Sequence, residues 1–383
     1  MANFDYNGEK NDNLVDISSG YQVKKIYKKR GRAKRIICIV LSILFLIGGS
    51  GMIYYYSLLD SFNFVDISGD DGDKGSTKPG NTKSTTPTVS GVSNLSLSEG
   101  ELLEDSKVLN IMLFGEDNPH GAEFGRSDSM IMATIDNRHK KLKLTSFQRD
   151  LYVYVPDYGY DKLTNAYAYG GPKLTIKTIE SNFGIKIDRY AVVDYESFVK
   201  IIDTLGGIEL DLAQDEIDYI NYQLYKNHQS DTPTTITDAP GLIKLTGQQA
   251  LWHARNRGLD SSEEAIGIDG DDWDRTSRQR EMIEKVFTDF KSADLAQIIS
   301  IVSEVGPLVT TNLKKDEITT LVSHSMTYLK YDVVQYNVPS DGMWYYDNNT
   351  SAGSVIVIKD MDTQRRLFAE FIYEELITGQ DVA

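Results

Sequence analysis

A long apolar segment without charged side chains lies near the N-terminus of this 383-residue chain. Residues 36–59 contain no Asp, Glu, Lys or Arg, and residues 36–56 read IICIVLSILFLIGGSGMIYYY. A helix needs roughly 20 mostly apolar residues to cross the hydrocarbon core of a bilayer, and residues 36–56 reach that length. The sequence therefore predicts one N-terminal transmembrane helix over residues 36–56.

The charges on the two sides of this segment predict its orientation. Eight basic residues lie between Lys24 and Arg35, whereas the chain after the segment begins with acidic residues, from Asp60 to Asp73. Because basic residues are retained on the cytoplasmic side of a membrane, we expect residues 1–35 to form a basic cytoplasmic stub. The alternative is a cleaved signal peptide, but the apolar run is long and lacks a clear small-residue cleavage site.

A polar segment follows the apolar one. Residues 66–100 are rich in Ser, Thr, Gly, Pro and Asp and nearly free of large apolar side chains. Such a composition cannot bury enough surface to offset the backbone entropy of folding. We therefore predict a flexible extracellular linker over residues 57–104, followed by an extracellular domain.

Charge and cysteine content exclude several kinds of protein. Residues 1–59 carry a net charge of +5 and the remainder of the chain a net charge of −21. A domain this acidic repels a phosphate backbone, which disfavours nucleic-acid binding. The single cysteine, Cys38, excludes an internal disulfide and a cysteine-based zinc site.

Apolar runs alternate with helical patterns in the extracellular domain, and this alternation predicts an α/β domain with a layered, mixed β-sheet flanked by helices. A helix is expected from Pro172 to a C-terminal cap at Gly184. Another is expected to start at Thr246, which has capping-box spacing with Gln249. The expected strands are Val108–Phe114, Met130–Ile135, Leu142–Phe147, Leu151–Val155, Tyr190–Val193, Ile208–Leu212, Val333–Val338 and Val355–Ile358.

Five of the eleven arginines of the extracellular domain fall within 26 residues, from Arg255 to Arg280. In a helix starting near Thr276, Arg275 and Gln279 would extend the apolar stripe and point inward, near N–H groups that favour a bound phosphate. Arg280 lies off that stripe and is expected on the surface.

Arg255 and Arg257 are separated by one residue, so they face the same way only if their helix unwinds near Asn256. Two guanidinium groups placed in this way form a fork for a polyanion. The alternative is that both arginines form salt bridges with the carboxylates of residues 269–274.

Carboxylates and a further arginine lie at the ends of apolar runs. Asp117 and Asp128 are hard oxygen donors of the kind that bind Mg²⁺ or Mn²⁺, although single aspartates also occur as turn or cap residues. Arg149 lies between two apolar strands, with Asp150 as a possible partner. Several arginines, two such carboxylates and no Ser-His-Asp or Cys-His pattern indicate phosphoryl chemistry on a pyrophosphate.

Six ordered motifs, GRSDSM, SFQRDLYVYVP, KLTNAYAYGGP, LGGIELDL, LTGQQALWHARNR and DRTSRQREMI, resemble those of the LytR-CpsA-Psr family over roughly residues 108–375. The resemblance implies a phosphotransferase of Gram-positive envelopes. It would move a cell-wall glycopolymer, such as a teichoic acid, capsule or rhamnose-type polysaccharide, from undecaprenyl pyrophosphate to a peptidoglycan hydroxyl. Residues 105–292 would then be the catalytic core and residues 293–383 a C-terminal α/β portion of the same domain.

The resemblance also implies roles for particular residues. Asp117 and Asp128 would bind Mg²⁺, with Mn²⁺ as a substitute, and Asp117, Asp128 and Arg149 would be catalytic, Asp128 as a general base. A wall of the prenyl tunnel is expected from residues 172–183. The pyrophosphate would be held by Arg126, Arg149, Lys162, Arg255, Arg257, Arg275 and Gln279.

This chain departs from the family pattern at Pro119 and Gln148, and residues 259–272 form a long acidic stretch. Three alternative functions stay open at this point. They are a receptor for polyprenyl-linked glycans that regulates the envelope, a pyrophosphatase that uses water as the acceptor, and a transcriptional attenuator, which the predicted topology opposes.

Overall fold

The computed structural model describes residues 63–64, 102–117, 123–227, 235–257 and 271–374. The predicted stub, the transmembrane segment at 36–56 and nearly all of the linker lie outside the described residues. Within the described ranges, no helix combines the length and apolar character that crossing a membrane requires.

Thirteen strands and eight α-helices make up the described part of the chain. The strands are β1 (Asn63–Phe64), β2 (Val108–Asp117), β3 (Arg126–Asp136), β4 (Lys141–Phe147), β5 (Tyr152–Val155), β6 (Gly159–Lys162), β7 (Arg189–Asp194), β8 (Ile208–Leu212), β9 (Gly241–Leu245), β10 (Thr310–Thr311), β11 (Asp332–Val338), β12 (Trp344–Thr350) and β13 (Gly353–Ile358). The helices are α1 (Leu163–Phe183), α2 (Tyr195–Thr204), α3 (Gln214–Lys226), α4 (Gly247–Arg255), α5 (Asp272–Asp289), α6 (Leu295–Val305), α7 (Lys315–Tyr328) and α8 (Met361–Tyr373).

Seven strands form the central sheet in the order β1-β10-β7-β2-β3-β4-β11. The β2–β3 and β3–β4 pairs are antiparallel, whereas β7 and β11 run parallel to β2 and β4. The predicted mixed sheet flanked by helices is confirmed. Three two-stranded sheets, β5–β6, β8–β9 and β12–β13, lie outside it. The strand predicted at 151–155 therefore belongs to a separate hairpin.

Side chains alternate between the two faces of the central sheet, as the pleat of a strand requires. One face carries Met112, Phe114 and Met132, which pack with Phe183 of α1 and Phe368 of α8. The other face carries Leu113, Ile131 and Ala191, which are paired across three neighbouring strands. Each of these three side chains lines a cavity, and α2, α3, α4 and α5 provide its remaining walls.

Helix ends follow the sequence signals in two places. Gly184 ends α1 in the left-handed conformation, with φ of 72°, and its N–H bonds to the Glu180 carbonyl. Thr246 and Gln249 form the predicted capping box at the start of α4. Both predictions are confirmed, although α1 starts earlier than expected, at Leu163, and is interrupted at Gly170 and Gly171 before Pro172.

The start of α5 differs from the prediction. The helix begins at Asp272 rather than near Thr276, because the Asp271 carboxylate accepts hydrogen bonds from the N–H groups of Trp273 and Asp274. These N–H groups are therefore capped from within the chain, and the expectation that they would bind a phosphate is wrong. Arg275 still lies in the first turn of the helix.

Candidate active site

A cavity of about 880 Å³ opens between the central sheet and the four helices α2 to α5. Apolar side chains line the sheet and helix walls, among them Leu113, Ile131 and Ala191 on the sheet and Ile202 and Met282 on the helices. Arginine and aspartate side chains line the cavity as well. The cavity thus combines an apolar chamber with a charged region, which suits an amphipathic ligand that carries an anionic group.

A β-bulge positions Asp128 in the charged region. The register between β2 and β3 shifts between Gly115 and Glu116, since Gly115 pairs with Ser129 and Glu116 pairs with Ser127. Asp128 is therefore the extra residue of the bulge and has no partner across the strand. Bulges commonly redirect a side chain in this way, and here Asp128 lines the cavity.

Arg149 forms ion pairs with Asp128 and with two further carboxylates. Its Nη1 lies 2.8 Å from Asp128 Oδ1, and its Nε lies 3.4 Å from Asp272 Oδ1 and 3.5 Å from Asp150 Oδ2. Lys162 Nζ lies 2.9 Å from Asp150 Oδ1. One guanidinium group thus contacts three carboxylates, and Lys162 joins the same network through Asp150.

Arg275 contacts both Asp128 and Asp272 and so belongs to the same network. It is only 4% exposed, and its Nη2 donates to the Asp128 backbone carbonyl at 3.2 Å and lies 2.9 Å from Asp272 Oδ1. A buried guanidinium group is stable only when it is paired, and Asp272 provides that partner. This contact connects the first turn of α5 to the bulge in β3.

Arg255 packs over two aromatic rings. Its guanidinium carbon is 4.4 Å from the centroid of Tyr195 and 5.1 Å from that of Trp252, and its Nη2 is 3.9 Å from Asp117 Oδ2. A cation–π contact holds an arginine in place while leaving its N–H donors free to bind an anion. The helix ends here, because Asn256 is extended with ψ of 120°.

Side chains of α5 hold this end of α4 in place. Gln279 Nε2 donates to the Ala254 carbonyl at 3.3 Å, and Arg278 Nη1 donates to the Asn256 carbonyl at 2.9 Å. The predicted unwinding at Asn256 is confirmed, and Arg255 and Arg257 line the same cavity.

The pKa values of the two partly buried carboxylates Asp128 and Asp272 are shifted in opposite directions. Burial alone would raise the pKa of Asp128, but the charges of Arg275 and Arg149 outweigh it and hold the pKa of Asp128 below its usual value. Burial raises the pKa of Asp272, and its arginine neighbours compensate only in part. Asp128 is therefore fully ionised at neutral pH and can serve as a cation ligand or a hydrogen-bond acceptor.

Comparison with known families decides where this chain belongs. The model of the LytR_cpsA_psr family matches residues 69–365, more than three quarters of the chain. The chain belongs to the LytR-CpsA-Psr family. This finding confirms the resemblance carried by the six motifs.

Curated relatives of this LytR-CpsA-Psr chain include proteins named as transferases and as regulators. A polyisoprenyl-teichoic acid–peptidoglycan teichoic acid transferase, TagU of Oceanobacillus iheyensis, is 30% identical over 257 residues, which cover 64% of this chain and 73% of that protein. Biofilm regulatory protein A of Streptococcus mutans is 32% identical over 227 residues, which cover 56% of this chain and 52% of that protein.

Solved structures share the fold. TagT bound to LIIa-WTA aligns with a TM-score of 0.55 at 22% identity and covers 74% of this chain and 99% of that one. A LytR-CPS2A-psr family protein, YwtF (TagT), with bound octaprenyl pyrophosphate lipid aligns with a TM-score of 0.51 at 21% identity and covers 73% of this chain and 99% of that one. At this identity the likeness concerns the fold.

Most of the site residues expected from the LytR-CpsA-Psr motifs converge. The cavity is lined by Asp117, Asp128, Arg149, Arg255, Arg257, Arg275 and Gln279. Two predicted pyrophosphate ligands do not line it. Arg126 is exposed, and it lies opposite Asp117 in the register of the β2–β3 strand pair. Lys162 is connected to the arginine network through its ion pair with Asp150.

Two expectations about the surroundings of the site are wrong. Arg280 is buried rather than on the surface, because it donates to Ser146 Oγ at 2.7 Å and to Asn337 Oδ1 at 2.7 Å. The helical segment 172–183 does not border the cavity, since α1 packs on the opposite face of the sheet. The apolar walls come instead from α2 to α5.

Sequence reasoning missed three residues of the site. Asp272 bridges Arg149 and Arg275, and Tyr195 and Trp252 support Arg255. The position of Asp272 also tests the alternative that Arg255 and Arg257 form salt bridges with the carboxylates of residues 269–274. Among the described residues, Asp272 pairs with Arg149 and Arg275, whereas the carboxylate nearest to Arg255 is Asp117. The only available signal was the unusual number of acidic residues before α5.

Gln148 and Pro119 are the two positions at which this chain departs from the family pattern. Gln148 is completely buried, and its Nε2 donates to Thr276 Oγ1 at 3.2 Å, which ties β4 to α5 behind the arginine network. It therefore has a structural contact in place of a proline. Pro119 lies outside the described residues.

Proposed function

We propose that this protein is a membrane-anchored extracytoplasmic phosphotransferase that moves a cell-wall glycopolymer from a polyprenyl pyrophosphate carrier to peptidoglycan. The observation that carries the proposal is the cavity, in which four arginines and two carboxylates adjoin an apolar chamber. A lipid diphosphate has this combination of an anionic head and an apolar tail.

The apolar chamber supports a prenyl ligand. Its walls are contributed by three strands of the central sheet and four helices, and the side chains that line it are mostly aliphatic or aromatic. A relative of the same fold contains octaprenyl pyrophosphate. In this chain the tail would lie between the sheet residues Leu113 and Ala191 and the helix residue Met282, with the diphosphate near Arg149, Arg255 and Arg275.

The donor set of Asp117 and Asp128 fits Mg²⁺, the metal that the family resemblance implies. Mg²⁺ is usually held by one or two carboxylates together with phosphate oxygens of the substrate, and both of these carboxylates line the cavity. The lowered pKa of Asp128 keeps it in the ionised form that a metal requires. When bound, Mg²⁺ would neutralise negative charge on the diphosphate.

In the proposed reaction, the phosphoryl group that carries the glycan moves from the bridging oxygen of the diphosphate to the hydroxyl oxygen of the acceptor. The acceptor hydroxyl oxygen forms a bond to the phosphorus that carries the glycan, the bond from that phosphorus to the bridging oxygen breaks, and polyprenyl phosphate leaves. Arg149, Arg255 and Arg275 bind the diphosphate and neutralise the charge that develops on the leaving phosphate. A carboxylate oxygen of Asp128 accepts the proton of the hydroxyl.

The proposed location follows from the N-terminal sequence. Residues 36–56 would anchor the chain in the cell membrane as a single span, with the N-terminus in the cytoplasm and the catalytic domain outside. A reporter enzyme fused to the C-terminus tests this topology. We expect activity of an export-dependent reporter, and activity of a cytoplasm-dependent reporter would contradict it.

The relative named as a biofilm regulatory protein favours a second candidate function, a receptor that binds polyprenyl-linked glycans and regulates the envelope without transfer. A pyrophosphatase that uses water as the acceptor is a third. The three differ in their products. Only a transferase attaches glycan to peptidoglycan, a pyrophosphatase releases polyprenyl phosphate without it, and a receptor releases nothing.

The decisive experiment supplies the full-length protein in liposomes with a polyprenyl-pyrophosphate-linked glycan, Mg²⁺ and purified peptidoglycan. We expect release of polyprenyl phosphate together with covalent attachment of glycan to peptidoglycan, and loss of both products in EDTA. Release that is independent of peptidoglycan and leaves it unmodified would contradict the proposal. Comparison of wall-bound polysaccharides in a deletion strain would then identify the polymer.

A further inference from the structure

A row of tyrosines covers the outer face of the β5–β6 hairpin. Tyr152 and Tyr154 alternate with Val153 and Val155, which are completely buried in the core. Tyr154 pairs directly with Tyr160 on β6. Paired residues of an antiparallel hairpin project to the same side, so the three tyrosines share the outer face, which we call the tyrosine face.

The rings of the tyrosine face are exposed and ordered against one another. Tyr154 is 47% exposed and Tyr160 is 64% exposed, and their centroids lie 5.6 Å apart in an edge-to-face arrangement. Tyr152 lies 5.6 Å from Tyr160 on the other side. Four of the eleven large hydrophobic side chains that are exposed among the described residues are tyrosines of this hairpin or of the adjoining α1. A concentration of this kind indicates a binding surface.

A second aromatic pair extends the surface at the tip of the hairpin. Tyr158 stacks on Tyr169 with a centroid separation of 4.5 Å and an interplanar angle of 11°. The Tyr169 hydroxyl donates to Asp161 Oδ2 at 2.7 Å, which fixes the ring. Both tyrosines remain about half exposed, so their rings are held in place without being covered.

The tyrosine face leads directly to the charged end of the cavity. Lys162 pairs with Tyr152 and therefore projects from the same face of the hairpin. Its Nζ contacts Asp150, which in turn contacts Arg149. A ligand lying along the tyrosines thus ends beside the arginine that the proposed function assigns to the diphosphate.

We propose that the tyrosine face binds the acceptor, a glycan strand of peptidoglycan, and positions one sugar hydroxyl toward the phosphate site. This inference rests on the proposed function, which supplies the identity of the acceptor. The apolar faces of pyranose rings pack on aromatic rings, and phenolic hydroxyls at the ring edges donate to sugar oxygens. A row of spaced rings suits a linear polymer of such sugars.

Charge favours this glycan over two other occupants. Asp150 lies 2.9 Å from Lys162 Nζ and Asp157 lies 3.7 Å from Lys177 Nζ, so acidic and basic side chains compensate one another on and beside the hairpin. An anionic lipid surface or a phosphate-rich polymer would find no excess of cationic side chains to bind here, whereas the uncharged sugar rings of a glycan strand need none. Pairing of two copies through their tyrosine faces would bring like charges together and is therefore disfavoured.

The test measures co-sedimentation of the full-length protein, in detergent, with purified peptidoglycan that has been stripped of other polymers. We expect Tyr154→Ala/Tyr160→Ala to raise the apparent Kd at least about tenfold, equivalent to about 1.4 kcal/mol. Tyr158→Ala lies in the turn, outside the hairpin pairing, and should weaken binding without disturbing the hairpin. The matched control is Tyr225→Ala, since Tyr225 is 72% exposed on α3 away from this surface.

Further variants and probes separate the possible outcomes. Tyr160→Phe keeps the ring and loses only the hydroxyl donor, so it should retain most of the binding, whereas Tyr160→Leu should not. Unchanged binding by both alanine variants would overturn the inference, as would binding of the wild type to neutral or anionic lipid vesicles that is lost in the same variants. A tyrosine-dependent dimer in sedimentation velocity would also overturn it.

Failure of this inference can be told apart from failure of the proposed function. Arg149→Ala should retain binding to peptidoglycan while losing transfer. Binding that depends on the tyrosines in a protein that transfers no glycan would contradict the enzyme and leave the glycan surface in place.

Discussion

The Arg275 guanidinium group donates to the backbone carbonyl of Asp128 across 147 residues of sequence. This bond fixes the bulge that directs the Asp128 side chain into the cavity, because a carbonyl at a bulge lacks its normal partner in the ladder. Arg275 thus has two roles: it shapes the acidic part of the site and contributes positive charge to it.

Substitution of Arg275 should therefore reduce stability as well as activity. Arg275→Ala leaves the partly buried Asp272 carboxylate with one partner fewer, and loss of one member of a pair this close to the interior costs about 3 kcal/mol. Urea denaturation of the purified protein measures this change. Arg257→Ala is the matched control, because Arg257 is exposed at the rim of the same cavity and its loss should change the free energy of unfolding by less than about 0.5 kcal/mol. Equal stability of the two variants would contradict the structural role of Arg275.

The pH dependence of stability should report the lowered pKa of Asp128. A carboxyl group whose pKa is lower in the folded state than in the unfolded state stabilises the protein above the unfolded pKa, and this contribution is lost as pH falls through the folded pKa. We expect the stability difference between the wild type and Asp128→Asn to be constant near neutral pH and to shrink below about pH 3.9. Denaturation midpoints measured from pH 7 to pH 3 provide the test. A difference that grows toward low pH would show that the pKa of Asp128 is raised.

Arg280 should matter for folding and not for ligand binding. Arg280→Met removes the donors to Ser146 and Asn337, and the unfolding free energy should fall by about 2 kcal/mol because charged hydrogen bonds in the interior are lost. Binding of a polyprenyl pyrophosphate by the folded fraction should be unchanged. Arg366→Met, at an exposed position on α8, is the control and should alter stability by less than about 0.5 kcal/mol. A destabilisation no larger than that of the control would mean that Arg280 is a surface residue after all.

A larger side chain in the apolar chamber should weaken binding of the prenyl tail without weakening binding of the diphosphate head group. Ala191 lies on the floor of the cavity between Leu113 and the helices, so Ala191→Phe would occupy space that the prenyl tail needs. We expect its affinity for a long polyprenyl pyrophosphate to fall at least about tenfold, a loss of about 1.4 kcal/mol, while inorganic pyrophosphate binds as in the wild type. Isothermal titration calorimetry with both ligands measures the difference. Parallel loss of both affinities would argue against a separate chamber for the tail.

The sequence predicted the strands of the central sheet better than the detailed contacts of the site. The runs that form β2, β3, β4 and β7 are apolar and short, so they predict strands without further information. Convergence of Arg149, Arg255 and Arg275 was expected because motif order and helix geometry both pointed to it. These features depend on periodicity and on family resemblance, which a single sequence contains.

The remaining features depend on contacts between distant segments. The bulge at Asp128 arises from a register shift between two strands, and burial of Arg280 requires acceptors on β4 and β11. The early start of α5 reflects capping by Asp271, which could not be distinguished from its acidic neighbours. Tertiary pairing decides such features, and local patterns do not record it.

The affinity of the full-length protein, in detergent, for a polyprenyl pyrophosphate shows whether the arginine cluster binds the diphosphate. Arg149→Ala and Arg255→Ala should each raise the Kd at least about tenfold relative to the wild type, because each removes charge-assisted hydrogen bonds to the diphosphate. Circular dichroism should confirm that both variants are folded, and Arg366→Ala should bind as the wild type does. If both Arg149→Ala and Arg255→Ala bind the lipid as tightly as the wild type, the arginines do not bind the diphosphate and the account is wrong.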